Sequence, residues 1–333
     1  MNGKVQINSF HIYTYPRIHF SLIGMSDEGY RINGGFGCSI SNPVLDCYFE
    51  KSDKLQIIDK RNNGLVIKER KRLLDTIQIV CSKYNLKIKY NCLIQSDVIY
   101  SHVGLGATTM IYMSCIEALF LLNGIKYNRD MVVINSNRGG TSGVGIHTYF
   151  DGGASFDIGV SATLNIIRPS SLGQQNQIPL QLCKFNMPCW SVGIIIPSHI
   201  SRMSESQEEL FFRRNTPITT NEVKDILYEV VYGILPSLKE ENFHIFCKSL
   251  NNLQKTKWKN SEWDAYGKEL YDIKETLIKN GATTVGLSSL GPMLYFFGDN
   301  MPEIINSIKK IYPNSICLDT SFNNSGRKIV YGN

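Results

Sequence analysis

The chain has 333 residues, of which 43% are hydrophobic and 19% are charged, and its formal net charge is +6. A chain of this length usually folds as two domains, and the composition excludes a disordered or low-complexity protein. The charge excess is too small to indicate nucleic acid by itself and suits an anionic small substrate at least as well.

The nine cysteines are scattered and never form a C-x-x-C pair, which argues against a zinc site and a secreted disulfide framework. The first residues lack a signal-like apolar region, and no apolar run reaches the ~18 residues of a membrane span. We therefore expect a cytoplasmic protein with reduced thiols.

Residues 4–23 alternate apolar and polar side chains, which predicts strands with a break or edge at Pro16. Arg17 and His19 lie two positions apart and would share one face of the second strand. They are either solvated polar positions on a half-exposed sheet or part of a site.

A glycine-rich segment follows between Arg31 and Gly37. It would let the backbone approach a ligand closely, and Arg31 offers a charge-assisted contact to phosphate or carboxylate. The alternative is a sheet corner or hairpin with a solvent-facing arginine. Further strands are predicted over 44–60, 64–68 and 87–100, with an amphipathic helix over 69–86.

The stretch Ser101–Met110 is a glycine-rich turn that leads into an apolar helix ending near Leu122. A turn of this kind binds anions, because free N–H groups and the positive end of the helix dipole both point at the ligand. The alternative is a buried helix with a glycine-containing entry turn. Thr108 and Thr109 are expected to cap the helix. The candidate phosphate contacts are Gly104, Gly106, Ala107, Thr108 and Thr109.

A second glycine-rich loop, Asn135–Gly145, follows an apolar run. Its consecutive N–H groups favour a concave anion nest, and Arg138 adds a cation. The alternative is a flexible surface loop. The candidate phosphate contacts here are Arg138, Gly139, Gly140, Thr141, Ser142 and Gly143.

Asp157 lies in a predicted strand, Ala154–Val160, where a carboxylate is costly to bury without a partner. It is a candidate for metal binding or proton transfer, unless it occupies an exposed strand position. Residues 168–188 are rich in Pro, Ser and Gln and hold the predicted boundary between domains 1–168 and 169–333.

The second half alternates predicted helices and strands and is therefore expected to be α+β. The charges of its first helix most simply form a solvated face. In order, the elements are a strand over 190–197, helices over 204–214, 221–235, 240–257 and 263–279, a Gly/Ser-rich turn over 283–292, a strand over 293–297, a helix over 301–311 and a strand over 316–318.

Taken together and in order, these motifs closely resemble the β-ribofuranosylaminobenzene 5′-phosphate synthase family over almost the whole chain. The matching segments are Pro16–Phe20, Arg31–Gly35, His102–Thr108, Arg138–Gly145, Phe150–Gly153 and Gly291–Pro292. Because that family resembles the GHMP kinases, the resemblance implies a two-domain α+β (α/β) fold. Its N-terminal α/β domain would carry the phosphate loop, and its C-terminal domain would be ferredoxin-like.

Members of the family join phosphoribosyl pyrophosphate to 4-aminobenzoate, release pyrophosphate and carbon dioxide, and form a C-glycosidic bond, usually with Mg²⁺. The resemblance therefore implies an enzyme with small-molecule substrates, no nucleic-acid or membrane partner, and a homodimeric assembly. Asp157 and Asp151 would bind the Mg²⁺. Arg17, His19 and Arg31 would hold the carboxylate of the aromatic acceptor, with Asp157 also in a catalytic role.

The chain departs from the family pattern at three places. Asp157-Ile-Gly-Val160 replaces the usual Asp-Gly-Gly-His, Asn137 stands for a glycine, and Met110 for a polar residue. The lost histidine leaves open an amino-pyrazole or other heteroaromatic carboxylate, as in C-nucleoside biosynthesis. Two functions of other classes stay open as alternatives to a ribosyltransferase. They are a small-molecule kinase of the GHMP type and a ligand-binding relative without turnover.

Overall fold

The computed structural model describes residues 7–96, 98–164, 166–169 and 177–332. The strand signal before residue 7 and residues 170–176 of the predicted boundary segment lie outside this part of the chain. Within the described ranges, no helix combines the length and the apolar character needed to cross a bilayer. All nine cysteines are free thiols.

Three sheets organise the described residues. The first has the order β14 (Lys328–Tyr331), β1 (Ser9–Thr14), β4 (Leu45–Ser52), β6 (Lys89–Gln95) and β5 (Gln56–Asp59). The second has the order β2 (Arg17–Gly24), β3 (Arg31–Ser39), β7 (Ala154–Asp157) and β9 (Gln181–Phe185), with β8 (Val160–Ser161) paired to β3. The third has the order β11 (Thr284–Leu287), β12 (Leu294–Phe297), β10 (Val192–Ile196) and β13 (Ile316–Thr320). All pairs are antiparallel except β5 with β6.

The first three helices of the first half cover the first sheet, its fourth helix, Val144–Asp151, packs on the second sheet, and the helices of the second half pack around the second and third sheets. They are α1 (Ile67–Lys83), α2 (Ala107–Leu122), α3 (Arg129–Ser136), α4 (Val144–Asp151), α5 (Glu205–Asn215), α6 (Thr220–Tyr228), α7 (Leu235–Lys239), α8 (Phe243–Leu253), α9 (Lys257–Asp264), α10 (Lys268–Lys279) and α11 (Met301–Ile311). A π-helical turn, Glu229–Ile234, joins α6 to α7, and a 3₁₀ turn spans Ala162–Leu164.

Several predicted elements are confirmed, including the break at Pro16 between β1 and β2 and the helix over 301–311. The strand predicted over 64–68 is wrong. The N–H of Val66 donates to the Glu69 carboxylate at 3.1 Å, so this segment begins α1 instead. Sequence reasoning also missed α4 and β14, and the first part of the predicted turn over 283–292 is β11.

The domain boundary at residue 168 stays a prediction. Two strands that follow it nevertheless pair with strands of the first half: β9 with β7, and β14 with β1. The N-terminal sheets are therefore completed by later parts of the chain.

The return of the C-terminus is anchored on a buried carboxylate in α2. Glu117 is fully buried, and Arg327, just before β14, donates to it through Nε at 2.7 Å and Nη2 at 2.5 Å. The hydroxyls of Tyr127 and Tyr149 donate to the same carboxylate at 2.8 and 2.7 Å. The carboxylate is thus fully partnered, and removing its charge would leave the arginine without a counterion.

We expect Glu117→Gln to lower the free energy of unfolding by about 3–5 kcal/mol, because one partner of a buried ion pair is lost. Urea denaturation followed by circular dichroism measures this. Glu275→Gln is the matched control, because Glu275 is exposed and lies 3.8 Å from Lys279. Glu275→Gln should lower the free energy of unfolding by less than about 1 kcal/mol. Equal losses in the two variants would contradict the anchoring role of Glu117.

Candidate active site

A cavity of about 510 Å³ lies between the two halves of the chain. Both glycine-rich loops line it, together with one face of α1, the start of β2, α5 and the segment after β11. The structure therefore brings the two predicted phosphate loops to one place.

The N-terminus of α2 reaches this cavity without a cap. Gly106 is the N-cap residue in the left-handed region, with φ of 76°, and no side chain caps the helix. The first helical hydrogen bond runs from the N–H of Met110 to the Gly106 carbonyl at 3.2 Å. The N–H groups of Ala107, Thr108 and Thr109 precede that bond and are available to an anion.

The expectation that Thr108 and Thr109 cap α2 is wrong, because both lie inside its first turn. The Thr108 hydroxyl donates to the Glu69 carboxylate at 3.4 Å, and the Thr109 hydroxyl accepts from Nε of Arg138 at 3.2 Å. These two threonines tie the first loop to α1 and to the second loop.

The second loop begins where α3 ends. Asn137 occupies the left-handed region with φ of 54°, and asparagine tolerates that conformation better than most residues. This explains how the chain can carry Asn137 where the family usually has glycine. Arg138, Gly139, Thr141 and Ser142 then line the cavity.

Two guanidinium groups line the cavity, that of Arg17 from the start of β2 and that of Arg138 from the second loop. Arg17 Nη1 donates to the Gly104 carbonyl at 2.6 Å, and Arg138 lies over the Tyr112 ring at 5.7 Å. Burial, followed by repulsion from Arg138, lowers the pKa of Arg17 to about 10. Burial likewise lowers the pKa of Arg138. The two cations and the free end of α2 together form a strongly anion-binding wall.

His19, Ser142 and Asp157 form a chain of hydrogen bonds beside this wall. Ser142 Oγ donates to Asp157 Oδ2 at 3.0 Å and lies 3.2 Å from His19 Nε2. Gly35 on β3 leaves the space for this meeting, since a Cβ there would lie 2.5 Å from Ser142 Oγ and 2.7 Å from His19 Nε2. The predicted glycine-rich segment is thus an interior strand, rather than a ligand-binding turn or a sheet corner.

Asp157 is fully buried and does not line the cavity. Its carboxylate also accepts from the N–H groups of Gly143 at 2.9 Å and Gly159 at 3.1 Å. Burial raises its pKa to about 7, although these donors act in the opposite direction. A metal ion would have to displace those donors, so Asp157 is placed to support Ser142 rather than to bind Mg²⁺.

Two other predicted residues lie away from the cavity. Arg31 donates to the carbonyls of Ile158 at 2.9 Å and Gly159 at 2.7 Å, so it holds the turn after β7. Asp151 pairs with Arg129 at 2.5 Å. Asp151 is the last residue of α4, whereas the Asp157 carboxylate contacts the Gly143 N–H at the start of that helix. At a rise of 1.5 Å per residue, the two ends of the helix lie about 12 Å apart. The expected joint metal site of Asp151 and Asp157 is therefore wrong.

The role expected for His19 also changes. Burial, with repulsion from Arg17 and Lys259, lowers the pKa of His19 well below its usual range. The imidazole is then neutral at pH 7 and cannot serve as a cation for a carboxylate. Gly140 and Gly143 do not line the cavity either, and Gly143 serves Asp157 through its N–H.

Sequence reasoning missed several lining residues that come from other elements. Glu69 on α1 forms a short ion pair with His102, and hydrogen bonds to its carboxylate lower its pKa despite burial. Arg72 pairs with Glu205 on α5 at 2.5 Å across the cavity mouth. The sequence predicts an amphipathic helix over 69–86 that is basic at its start. A local pattern does not indicate which part of the chain the polar face of such a helix lies against.

Within the described ranges, no group of three or more His, Cys, Asp or Glu side chains is arranged to hold a metal ion. The Glu69 carboxylate and the Thr108 hydroxyl, which meet at 3.4 Å, are hard oxygen ligands beside the free end of α2. Two protein oxygens suffice only where the substrate supplies the remaining ligands, as with Mg²⁺ on phosphates.

The chain is similar over nearly its full length to two archaeal proteins called beta-ribofuranosylphenol 5′-phosphate synthase. The one from Methanothermobacter thermautotrophicus is 25% identical, over 96% of this chain and 98% of the relative. The one from Methanocaldococcus jannaschii is 27% identical, over 96% of this chain and 99% of the relative. No family model matches. The resemblance inferred from the motifs is thereby confirmed.

Solved structures show the fold. A homoserine kinase from Cytophaga hutchinsonii superposes with a TM-score of 0.70 at 14% identity, over 99% of this chain and 100% of that one. A mevalonate kinase from L. major superposes with a TM-score of 0.66 at 13% identity, over 94% and 96% of the two chains. The predicted GHMP kinase-like fold, of mixed α and β structure, is confirmed.

We expect Arg138→Ala to weaken pyrophosphate binding about 30-fold or more, because a partly desolvated charge partner is lost. Isothermal titration calorimetry with pyrophosphate measures this. Arg31→Ala removes the same charge outside the cavity, so its pyrophosphate affinity should stay within about twofold of wild type. Equal weakening in both variants would mean that the loss follows net charge rather than the site.

Asp157 should also leave a signature in the pH dependence of stability. Its folded pKa lies above the unfolded one, so its contribution is full below about pH 4 and is lost as pH rises through 7. Asp157→Asn removes this titration. The unfolding free energy of wild type minus that of the variant should therefore fall steadily from pH 4 to pH 8 in urea titrations. A constant difference would contradict the buried carboxyl.

Proposed function

The chain is related over nearly its whole length to the beta-ribofuranosylphenol 5′-phosphate synthases and has the GHMP kinase fold, and from that premise we propose that it is a C-ribosyltransferase. In the proposed reaction, phosphoribosyl pyrophosphate donates its ribosyl group to a ring carbon of an aromatic carboxylate. The observation that carries the proposal is the meeting of the uncapped N-terminus of α2 with the guanidinium groups of Arg17 and Arg138.

This anion-binding wall suits the leaving group of that reaction. As the bond between the anomeric carbon and pyrophosphate breaks, the bonding electrons leave with the pyrophosphate, and the ribosyl centre becomes oxocarbenium-like. Preorganised N–H groups and guanidinium groups stabilise the departing charge without reorganising at the moment of reaction. Gly139 and Thr141 of the second loop line the same cavity and would hold the 5′-phosphate, so that both ends of the phosphoribosyl pyrophosphate are bound.

The aromatic partner supplies the electron pair for the new bond. The ring carbon that carries the carboxylate attacks the anomeric carbon, and the carbon–carboxylate bond then breaks. Its electrons return to the ring as carbon dioxide leaves, so no external oxidant or base is consumed. Partial desolvation of the carboxylate in the cavity favours this loss.

We propose a benzoate with a para hydroxyl or amino group as the acceptor. The relatives are called beta-ribofuranosylphenol 5′-phosphate synthases, and a phenol product favours the hydroxyl over the amino group expected from the motifs. The same names do not favour a heteroaromatic acceptor or a small-molecule kinase. Of the three residues predicted to hold the acceptor carboxylate, only Arg17 remains available as a cation at the cavity.

We also propose Mg²⁺ as the metal that accompanies the pyrophosphate. Glu69 and Thr108 would be its protein ligands, which requires the carboxylate to share or give up its contact with His102. Bound there, the ion would neutralise charge on the leaving pyrophosphate. The homodimer and the cytoplasmic location stay predictions from the sequence.

Incubation of the protein with MgCl₂, phosphoribosyl pyrophosphate and carboxyl-¹³C-labelled 4-hydroxybenzoate or 4-aminobenzoate tests the proposal. We expect equal amounts of pyrophosphate and labelled carbon dioxide, and a ribosylated product that resists acid, as a C-glycoside does. ATP should not be consumed. The proposal fails if no aromatic carboxylate supports pyrophosphate release while ATP phosphorylates a small alcohol.

A further inference from the structure

The neutral imidazole of His19 carries an acceptor nitrogen for which the described residues provide no partner. His19 is 3% exposed and lines the cavity. Its Nε2 meets Ser142, whereas Nδ1 is buried and makes no hydrogen bond. A buried acceptor without a donor costs about 1–3 kcal/mol, and a ligand group in the cavity that His19 lines could remove that cost.

The surrounding hydrogen bonds decide which nitrogen of His19 carries the proton. Above the pKa of Asp157, which burial raises to about 7, the carboxylate accepts the one proton of the Ser142 hydroxyl, and Ser142 Oγ in turn accepts from the N–H of Val144 at 3.1 Å. Ser142 can then only accept from His19, so Nε2 is protonated. Nδ1 therefore presents a lone pair.

The charges around His19 keep it in this neutral form. Arg17 and Lys259 face it and disfavour a proton on Nδ1, and Asp157 is reached only through the Ser142 hydroxyl. Nδ1 is therefore a hydrogen-bond acceptor that requires a donor from the ligand. The carboxylate of the acceptor carries no such donor at neutral pH, whereas a ring hydroxyl or amino group does.

Resting on the proposed function, we propose that His19 Nδ1 accepts a hydrogen bond from the para hydroxyl or amino group of the aromatic acceptor, with Ser142 and Asp157 as positioning residues. This contact would select acceptors that carry such a donor. It would also push electron density from that group into the ring, toward the carbon that carries the carboxylate. A site built to pair with a substrate hydroxyl rejects analogues that lack it far more strongly than an apolar pocket does.

A matched pair of variants separates the two nitrogens. His19→Gln keeps a donor near the ε position for Ser142 but loses the acceptor at the δ position. His19→Asn keeps an amide oxygen near the δ position but no longer reaches Ser142. Dissociation constants for 4-hydroxybenzoate and 4-methoxybenzoate, the second without a donor, are measured by calorimetry in wild type and both variants, alongside phosphoribosyl pyrophosphate.

We expect wild type to bind 4-hydroxybenzoate at least tenfold more tightly than 4-methoxybenzoate. His19→Gln should lose this preference and His19→Asn should keep part of it, whereas the affinity for phosphoribosyl pyrophosphate should be unchanged in both variants. A preference that survives in His19→Gln would overturn the proposal. So would weaker binding of phosphoribosyl pyrophosphate in His19→Gln with the aromatic preference intact, since Nδ1 would then meet a ribose hydroxyl.

The positioning role has its own readout. In ¹⁵N-labelled wild type, the His19 imidazole should show a protonated Nε2 and a bare Nδ1. Ser142→Ala should mix the two tautomers and raise KM for the acceptor, and Ser142→Thr, which keeps the hydroxyl, should restore both. An unchanged tautomer in Ser142→Ala would refute that role. The tautomer is observed in the nitrogen chemical shifts and needs no turnover. The positioning role can therefore be tested even if the protein releases no pyrophosphate with any acceptor.

Discussion

The free N-terminus of α2 is the constraint on which the site depends. A helix end exposes N–H groups that need partners, and here Gly106 offers none. Two guanidinium groups add further positive charge at the same wall. Burial lowers the pKa of both, and repulsion from Arg138 lowers the pKa of Arg17 further. Other contacts of the folded chain hold these positively charged groups close together. An anion bound at the wall would offset their repulsion and accept hydrogen bonds from the free N–H groups.

The contacts that hold this wall come from distant parts of the chain. The Ser288 hydroxyl donates to the Gly104 carbonyl at 2.8 Å and accepts from the N–H of His19 at 3.0 Å. Arg17 pairs with the same turn through its backbone N–H, which donates to Leu105 at 3.1 Å. The second half of the chain is thus fastened to the first at the glycine-rich turn before α2, so the cavity and the joint between halves form one structural unit.

Burial changes the chemistry of the polar residues behind the wall. In water His19 would be half protonated near pH 6.5, but burial and two cations keep it neutral. Asp157 would be ionised throughout the neutral range, yet burial raises its pKa to about 7. Residue types that suggest a cation and a metal ligand in isolation become a hydrogen-bond acceptor and its support, because desolvation disfavours both charged forms.

The sequence by itself determined what depends on local pattern and on ordered motifs. Turn glycines and hydrophobic periodicity are local signals, and they pointed to the two glycine-rich loops that line the cavity and to the helix over 301–311. The GHMP kinase-like fold was predicted from the resemblance of the ordered motifs. Only the tertiary structure decided which charged side chains line the cavity and which lie outside it. Arg31 and Asp151 found partners outside the cavity, while Glu69 and Arg72 entered it from α1. Such assignments follow from which faces pack together, and a single sequence carries no local signal for that.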